Sequence, residues 1–185
     1  MKSTHPPTFL RPILQRLQDG LEHPALHPPM LVSGSQIHAP QEHLKLAVAY
    51  NGSPRSHAAL DLALWIAHQT RVATPQLVTV HVVFVGYPGL TANALAQADE
   101  ILHQARSLAD EWRGHLYTHL RFGDPAAELK TVVAQEGIHL LMVGCESARH
   151  PLVKGLADCP CAVLGIPLVF SDSGETLKPM PMVVG

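Results

Sequence analysis

The chain has 185 residues, of which 46% are hydrophobic and 15% are charged, and its formal net charge is −2. This length suits one domain with tails and a sizeable core, while a near-neutral charge with scattered Lys and Arg excludes an obvious nucleic-acid partner. No apolar run approaches the roughly 20 residues that span a bilayer, no signal peptide is apparent, and three unpatterned cysteines favour a reducing cytoplasm.

Residues 1–43 form a Pro- and His-rich N-terminal extension. Five apolar residues recur there at helical spacing: Leu10, Ile13, Leu14, Leu17 and Leu21. The spacing predicts a short helix over residues 8–21, which either packs on the domain or docks a protein partner. Residues 22–43 are Pro-rich with little helical potential, and we interpret them as a linker.

The first predicted β–α unit follows the extension. An almost unbroken apolar run predicts a buried strand over residues 45–50, which ends at the turn formed by residues 51–54. Residues 58–67 are apolar nearly all round, and they predict a buried helix over residues 54–70. Together they form the opening half of a βαβ unit.

The turn between this strand and helix is the first candidate site. Gly52 permits a tight turn, Ser53 can cap the helix, and Pro54 suits the first helical position. We therefore interpret Ser53 as a cap and not as a nucleophile. Ligands of α/β proteins commonly bind at the carboxyl ends of strands, where this turn lies.

The remaining domain alternates strands with helices. Apolar runs predict strands over residues 77–85, 138–144 and 161–166, and alternation along one face predicts a strand over residues 116–122. Helical spacing predicts helices over residues 95–112 and 126–136. Asp124 is a predicted N-cap, and Gly137 is placed to end its helix. These elements predict an α/β domain over residues 44–170, an open five-stranded parallel sheet with helices on both faces, before a C-terminal tail of residues 171–185.

Several short motifs, in their order along the chain, resemble the universal stress protein family. They are Val48–Ser53, Val80–Val83, Gly123–Pro125, Leu141–Gly144 and Cys159–Leu164. The resemblance covers about residues 44–167. It implies a five-stranded parallel sheet that usually dimerises through its last strand. It also implies a site for ATP or AMP across the ends of the first and fourth strands.

The chain departs from the family pattern after the fourth strand. Family members that bind ATP carry Gly-x2-Gly-x9-Gly-Ser/Thr there, whose glycines let backbone N–H groups approach the phosphates. Here only Gly155 follows Gly144 before the last strand, and Glu146 adds a negative charge. Asn51 also replaces an acidic residue of the first turn. We therefore do not expect a triphosphate in the family's usual pose.

The resemblance implies candidate binding residues at two turns: Ala49, Tyr50, Asn51, Gly52, Ser53, Val82, Gly144 and Cys145. We expect no resident cofactor, with AMP or ATP as the ligands left open. In one alternative, the first turn and Val82 hold adenosine or AMP. In a second, Arg149 or Lys154 replaces the missing phosphate donors. In a third, the pocket is empty or filled by side chains such as Tyr50.

Histidines and cysteines invite other hypotheses. His115 and His119 form an H-x3-H pair, but four residues of a strand span about 13 Å, so we interpret them as surface residues and not as metal ligands. Cys159 and Cys161 are expected to be buried. Cys145 ends a strand where exposure is plausible, so a reactive thiol stays an alternative. No nucleophile–base–acid set is present, and we do not expect an enzyme.

These observations lead to a cytoplasmic stress-response or regulatory protein that acts mainly through protein–protein contacts, without the family's usual ATP loop. The edge strand Cys161–Phe170 is the expected homodimer interface, because an apolar edge is otherwise a liability. Residues 8–21 are the candidate docking element for another protein. The alternative is an adenine-nucleotide-binding switch with a rebuilt phosphate loop.

Overall fold

The computed structural model describes residues 30–33, 42–89, 91–112, 114–147 and 149–166. Three predicted features lie outside the described residues. They are the helix over residues 8–21, the tail from residue 171, and residues 167–170 of the predicted edge strand.

The described residues form strands and helices that alternate along the domain. The strands are β1 (Met30–Ser33), β2 (His43–Ala49), β3 (Leu77–Gly86), β4 (His115–Phe122), β5 (Leu140–Gly144) and β6 (Ala162–Ile166). The helices are α1 (Pro54–Ala73), α2 (Ala92–Ala109) with a 3-10 turn at Asp110–Trp112, α3 (Pro125–Glu136) and α4 (Pro151–Gly155). Every predicted strand and helix of the domain is present, whereas β1 and α4 were not predicted.

The sheet has the strand order β1-β6-β5-β2-β3-β4. All neighbours from β6 through β4 pair in parallel, which confirms the predicted five-stranded parallel sheet. β1 adds a short antiparallel strand on the outer side of β6. The interpretation of residues 22–43 as a linker was therefore wrong at residues 30–33. Three apolar residues are too short a pattern to predict a strand, and they pair only because a sheet edge is there to receive them.

Local capping signals begin and end the helices as predicted. The Ser53 hydroxyl accepts a hydrogen bond from the Ser56 N–H at 3.2 Å and begins α1. The Asp124 carboxylate accepts one from the Ala127 N–H at 2.9 Å and begins α3. Gly137 ends α3 with φ +65°, a conformation that glycine adopts without steric cost. These caps position the turns at both ends of the helices.

Two hydrophobic clusters lie on opposite faces of the sheet. The first packs α1 and α2 against the sheet, and the second packs α3 and α4. Successive residues of β6 alternate between them, with Leu164 in the first cluster and Val163 in the second. Because β6 and its inner neighbours are buried on both faces, their sequences are continuous apolar runs.

Candidate functional site

The candidate site lies where β2 and β5 end side by side. Ala49 pairs with Val143 of β5 and with Val83 of β3. The turn after β2 and the segment after Gly144 therefore lie at the same edge of the sheet. The structure thus brings together the two turns that the predicted binding residues occupy.

Asn51 organises the turn after β2. Its side-chain oxygen accepts a hydrogen bond from the Ser53 N–H at 3.0 Å, and its own N–H donates to the Ser56 hydroxyl at 3.3 Å. Gly52 has φ +78°, which a side chain would strain. The oxygen of Asn51 therefore stabilises the turn itself, and a ligand that used it would compete with that bond.

Tyr50, His57 and Asp61, which we call the tyrosine cluster, lie beneath this turn. Tyr50 is only 2% exposed, and its hydroxyl hydrogen-bonds to Nδ1 of His57 at 3.0 Å. Burial, and then the Asp61 carboxylate, raise the pKa of Tyr50 to about 12. Burial also raises the pKa of Asp61, against the pull of His57. Because a buried phenol with a raised pKa stays protonated, the Tyr50 hydroxyl is a poor nucleophile.

Two predicted site residues point into the core. Tyr50 and Val82 both belong to the first hydrophobic cluster, and Val82 is 0% exposed. Their side chains contact apolar neighbours instead of lining an open surface. Ala49 packs against the second cluster. Of the eight predicted residues, those of the turn itself, Asn51 to Ser53, are the ones best placed to meet a ligand.

Gly144 is needed for close packing between β5 and α1. A Cβ atom at Gly144 would lie 2.5 Å from the carbonyl carbon of Arg55. Beyond this contact, the Arg55 guanidinium forms an ion pair with Glu146 at 3.0 Å. Sequence reasoning missed this role of Arg55, because the two partners are far apart along the chain. The ion pair ties the first turn of α1 to the segment where the family's glycine loop would begin.

Three backbone N–H groups of the segment after Gly144 donate hydrogen bonds to acceptors in the protein. The Cys145 N–H donates to the Ile166 carbonyl at 3.1 Å, and the His150 N–H donates to the Ser147 carbonyl at 3.1 Å. The Arg149 N–H donates to the Ser147 hydroxyl at 3.3 Å. The side chains of Arg149 and of Lys154 in α4 are exposed. The N–H groups of Cys145, Arg149 and His150 are therefore already hydrogen-bonded and are not open donors for a phosphate.

All three cysteines of the chain are buried and none forms a disulfide. Cys159 and Cys161 are 2% and 1% exposed, as predicted, and their sulfur atoms lie 3.7 Å apart. Cys145 is only 1% exposed, and burial raises the pKa of its thiol. The structure therefore contradicts the alternative of an exposed, reactive Cys145. The Cys145 N–H bonds to the Ile166 carbonyl of β6, which holds the residue against the sheet. A buried thiol with a raised pKa is a poor nucleophile.

A second polar cluster, which we call the histidine network, lies on the second face of the sheet. His81 is 4% exposed, and its Nδ1 is 2.9 Å from Nε2 of His119. On its other side, the Thr79 hydroxyl is 3.5 Å from Nε2 of His81 and 3.1 Å from Nε2 of His43. His115 is exposed as predicted, but His119 is half-buried and is not a simple surface residue. The pairing with His81 depends on the β3–β4 register, which local sequence does not show.

The histidine network is held in the neutral state. Burial, and then the neighbouring His119, lower the pKa of His81 from 6.5 to about 4. Lys45 and His43 act in the same direction, and Glu136 opposes them. Among the described residues, no three His, Cys, Asp or Glu side chains converge in a way that could hold a metal ion. The network is therefore best described as a hydrogen-bonded set of neutral imidazoles.

None of the described helices combines the length and the apolar character that a membrane span requires.

Comparison with known proteins gives a family match over most of the domain. Residues 43–156 match the model of the universal stress protein family. No curated protein matches the sequence significantly.

Solved structures with the same fold include three universal stress proteins. One from Arabidopsis thaliana, described with AMP bound, is 15% identical over 74% of this chain and 97% of its own, with a TM-score of 0.58. One in complex with cAMP is 20% identical over 69% and 98%, with a TM-score of 0.55. One from Burkholderia pseudomallei is 22% identical over 66% and 95%, with a TM-score of 0.52. At these identities the similarity shows a shared fold.

Proposed function

Because the chain belongs to the universal stress protein family, we propose that it is a non-catalytic, cytoplasmic stress-response regulator that acts mainly through protein–protein contacts. In this proposal the edge of the sheet where the family's nucleotide site would lie serves as a packing contact between α1 and the segment after β5, which we call the junction. No polyphosphate is held there.

The main support is that three backbone N–H groups after β5 already have acceptors in the protein. Phosphate loops bind anions because several backbone N–H groups point outward without a partner in the protein. Here the N–H groups of Cys145, Arg149 and His150 all have protein acceptors. A triphosphate that used these three N–H groups would have to break their bonds, and each broken bond would cost about 1 kcal/mol.

Charge at the junction opposes a triphosphate as well. Glu146 is 67% exposed and lies at the start of the segment, where it would face the anion. Its partner Arg55 is the nearby cation, but that guanidinium is already paired with Glu146. A phosphate would therefore have to displace a carboxylate in order to use Arg55.

The alternative is an adenine-nucleotide switch, and the solved relatives favour it as a second candidate. Two structures with the same fold are described with AMP or cAMP. In this alternative, Asn51 to Ser53 hold the base and ribose, and the exposed Arg149 or Lys154 contacts a single phosphate. AMP demands fewer phosphate donors than ATP, so it is the ligand on which the two hypotheses differ most.

Isothermal titration calorimetry with ATP, ADP, AMP and cAMP tests the proposal. We expect no binding tighter than about 100 µM for any of them. The matched variants are Asn51→Ala, which alters the first turn, and Asn93→Ala, which replaces an exposed asparagine of α2. AMP binding below that limit that is lost in Asn51→Ala and kept in Asn93→Ala would overturn the proposal in favour of the switch.

A homodimer through β6 is part of the same proposal. β6 is an apolar strand whose outer edge carries only the short strand β1, and an apolar edge without such a cover favours pairing with another chain. The second proposed contact, residues 8–21, lies outside the described residues. We keep it as the candidate element for a different protein partner, to be tested by pull-down with and without residues 1–43.

A further inference from the structure

The two edges of the parallel sheet are built differently. At one side β4 is the last strand, and none of its eight residues is buried. It carries polar side chains such as His115 and Arg121, a common protection of an edge against pairing. At the other side all five residues of β6 are buried. β6 has no polar protection, so its outer edge needs a cover.

The cover comes from the N-terminal extension. β1 pairs antiparallel with β6, with Met30 opposite Gly165 and Leu31 opposite Leu164. The register shifts between Leu31 and Ser33, so the pairing is short and irregular. By contrast, β5 and β6 pair over five residues without interruption. β1 therefore occupies the β6 edge, the outer side of β6, through a weak ladder.

We propose that β1 is a removable cover of the β6 edge, and that a second copy of this chain is the occupant that competes with it. The inference rests on the homodimer in the proposed function and adds its regulation. Two copies related by a two-fold axis would set their β6 strands antiparallel, which is also the direction of β1 on β6. One edge therefore offers the same kind of backbone pairing to β1 and to the second copy, but not at once.

Competition between β1 and a second copy should lower the apparent affinity of dimerisation. While β1 is in place, only the fraction of molecules with an open edge can pair, and the apparent affinity falls by that fraction. Weakening β1 should therefore strengthen the dimer. A signal or partner that binds the extension and withdraws β1 would act as a switch for assembly.

The test uses full-length protein with a matched pair of double variants. In Leu31→Pro/Val32→Pro, proline removes two consecutive backbone N–H groups, one of which must point toward β6 because successive groups alternate. In Leu31→Ala/Val32→Ala both N–H groups remain. A second disrupting variant, deletion of residues 30–33, guards against misfolding caused by proline. Circular dichroism and thermal unfolding check that each variant keeps the fold.

Size-exclusion chromatography with light scattering, from about 1 to about 200 µM protein, measures the dimer dissociation constant. We expect the proline and deletion variants to dimerise at least about tenfold more tightly than the wild type. The alanine variant should stay near the wild type. Amide hydrogen exchange of residues 162–166 should rise in the proline variant at low concentration and fall again as it dimerises.

The other outcomes separate the two proposals. If the wild type and all variants dimerise with the same constant, β1 is not a competitor, and the homodimer itself still stands. If all remain monomers at every concentration, both the competition and the homodimer are wrong. If the proline variant dimerises while exchange at residues 162–166 stays unprotected, the dimer uses another surface and the inference fails.

Discussion

The candidate site and the histidine network are two polar regions of one sheet that are stabilised in different ways. At the carboxyl edge, β5 and α1 approach so closely that only glycine fits at position 144, and the tyrosine cluster includes the carboxylate of Asp61. On the second face, Thr79 links His43 to His81, and His81 contacts His119 directly. The carboxylate of Glu136 only partly offsets the effect of burial on the pKa of His81.

The difference predicts which kind of change should destabilise each region. The candidate site depends on shape, because its parts are fixed by backbone contact and short hydrogen bonds. The histidine network depends on charge, because it is stable only while its imidazoles are neutral. A steric change should therefore damage the first region at any pH, whereas acid should damage the second. Three predictions follow this contrast, in order of expected effect.

The largest effect is expected from Gly144→Ala. The added Cβ would lie 2.5 Å from the Arg55 carbonyl carbon, and backbone atoms cannot move aside as a flexible side chain can. We expect a loss of about 3 kcal/mol in the free energy of unfolding, measured by urea denaturation. Gly137→Asn is the control, because no atom lies within 4 Å of that position and Asn tolerates its left-handed conformation. Equal losses in the two variants would contradict a steric role for Gly144.

The second prediction concerns acid. The pKa of His81 is about 4 in the folded protein and near 6.5 when unfolded, so the unfolded chain takes up the proton first. Stability should therefore fall as pH drops below about 6.5, and His81 alone should account for about 2 kcal/mol between pH 7.5 and pH 5. His81→Gln keeps hydrogen-bonding groups but cannot titrate in this range, so urea denaturation should show a flatter pH dependence.

The control for His81 is His115→Gln, which replaces an exposed histidine of the neighbouring strand. This variant should keep the acid sensitivity of the wild type. If His81→Gln retains the full loss of stability between pH 7.5 and pH 5, the acid sensitivity does not arise at His81.

The smallest effect on the free energy of unfolding is expected from Tyr50→Phe in the tyrosine cluster. Tyr50→Phe removes the hydroxyl that bonds His57 at 3.0 Å while keeping the buried ring. We expect a loss of about 1 kcal/mol, nearly constant between pH 6 and pH 8, because the phenol is protonated throughout. Tyr117→Phe, at a ring that is 52% exposed, should change stability by less than about 0.5 kcal/mol. A loss at Tyr50 no larger than that at Tyr117 would show that the hydrogen bond to His57 adds nothing.

Local sequence was enough to predict the parallel sheet and its helices. Continuous apolar runs marked strands buried on both faces, and the caps at Ser53, Asp124 and Gly137 acted within a few residues of themselves. The burial of Cys159 and Cys161 was predicted from their alternation along a strand and from the family resemblance. These features depend on short-range spacing and backbone preference, which a single sequence displays directly.

Only the tertiary structure decided which distant groups meet. It placed β1 on the β6 edge, joined His81 to His119, paired Arg55 with Glu146, and buried Cys145. Each of these contacts depends on strand order and register, and neither quantity is carried by the residues near the contact. A short apolar segment becomes a strand only where an open edge accepts it, and a histidine becomes a buried hydrogen-bond partner only where a neighbouring strand aligns with it.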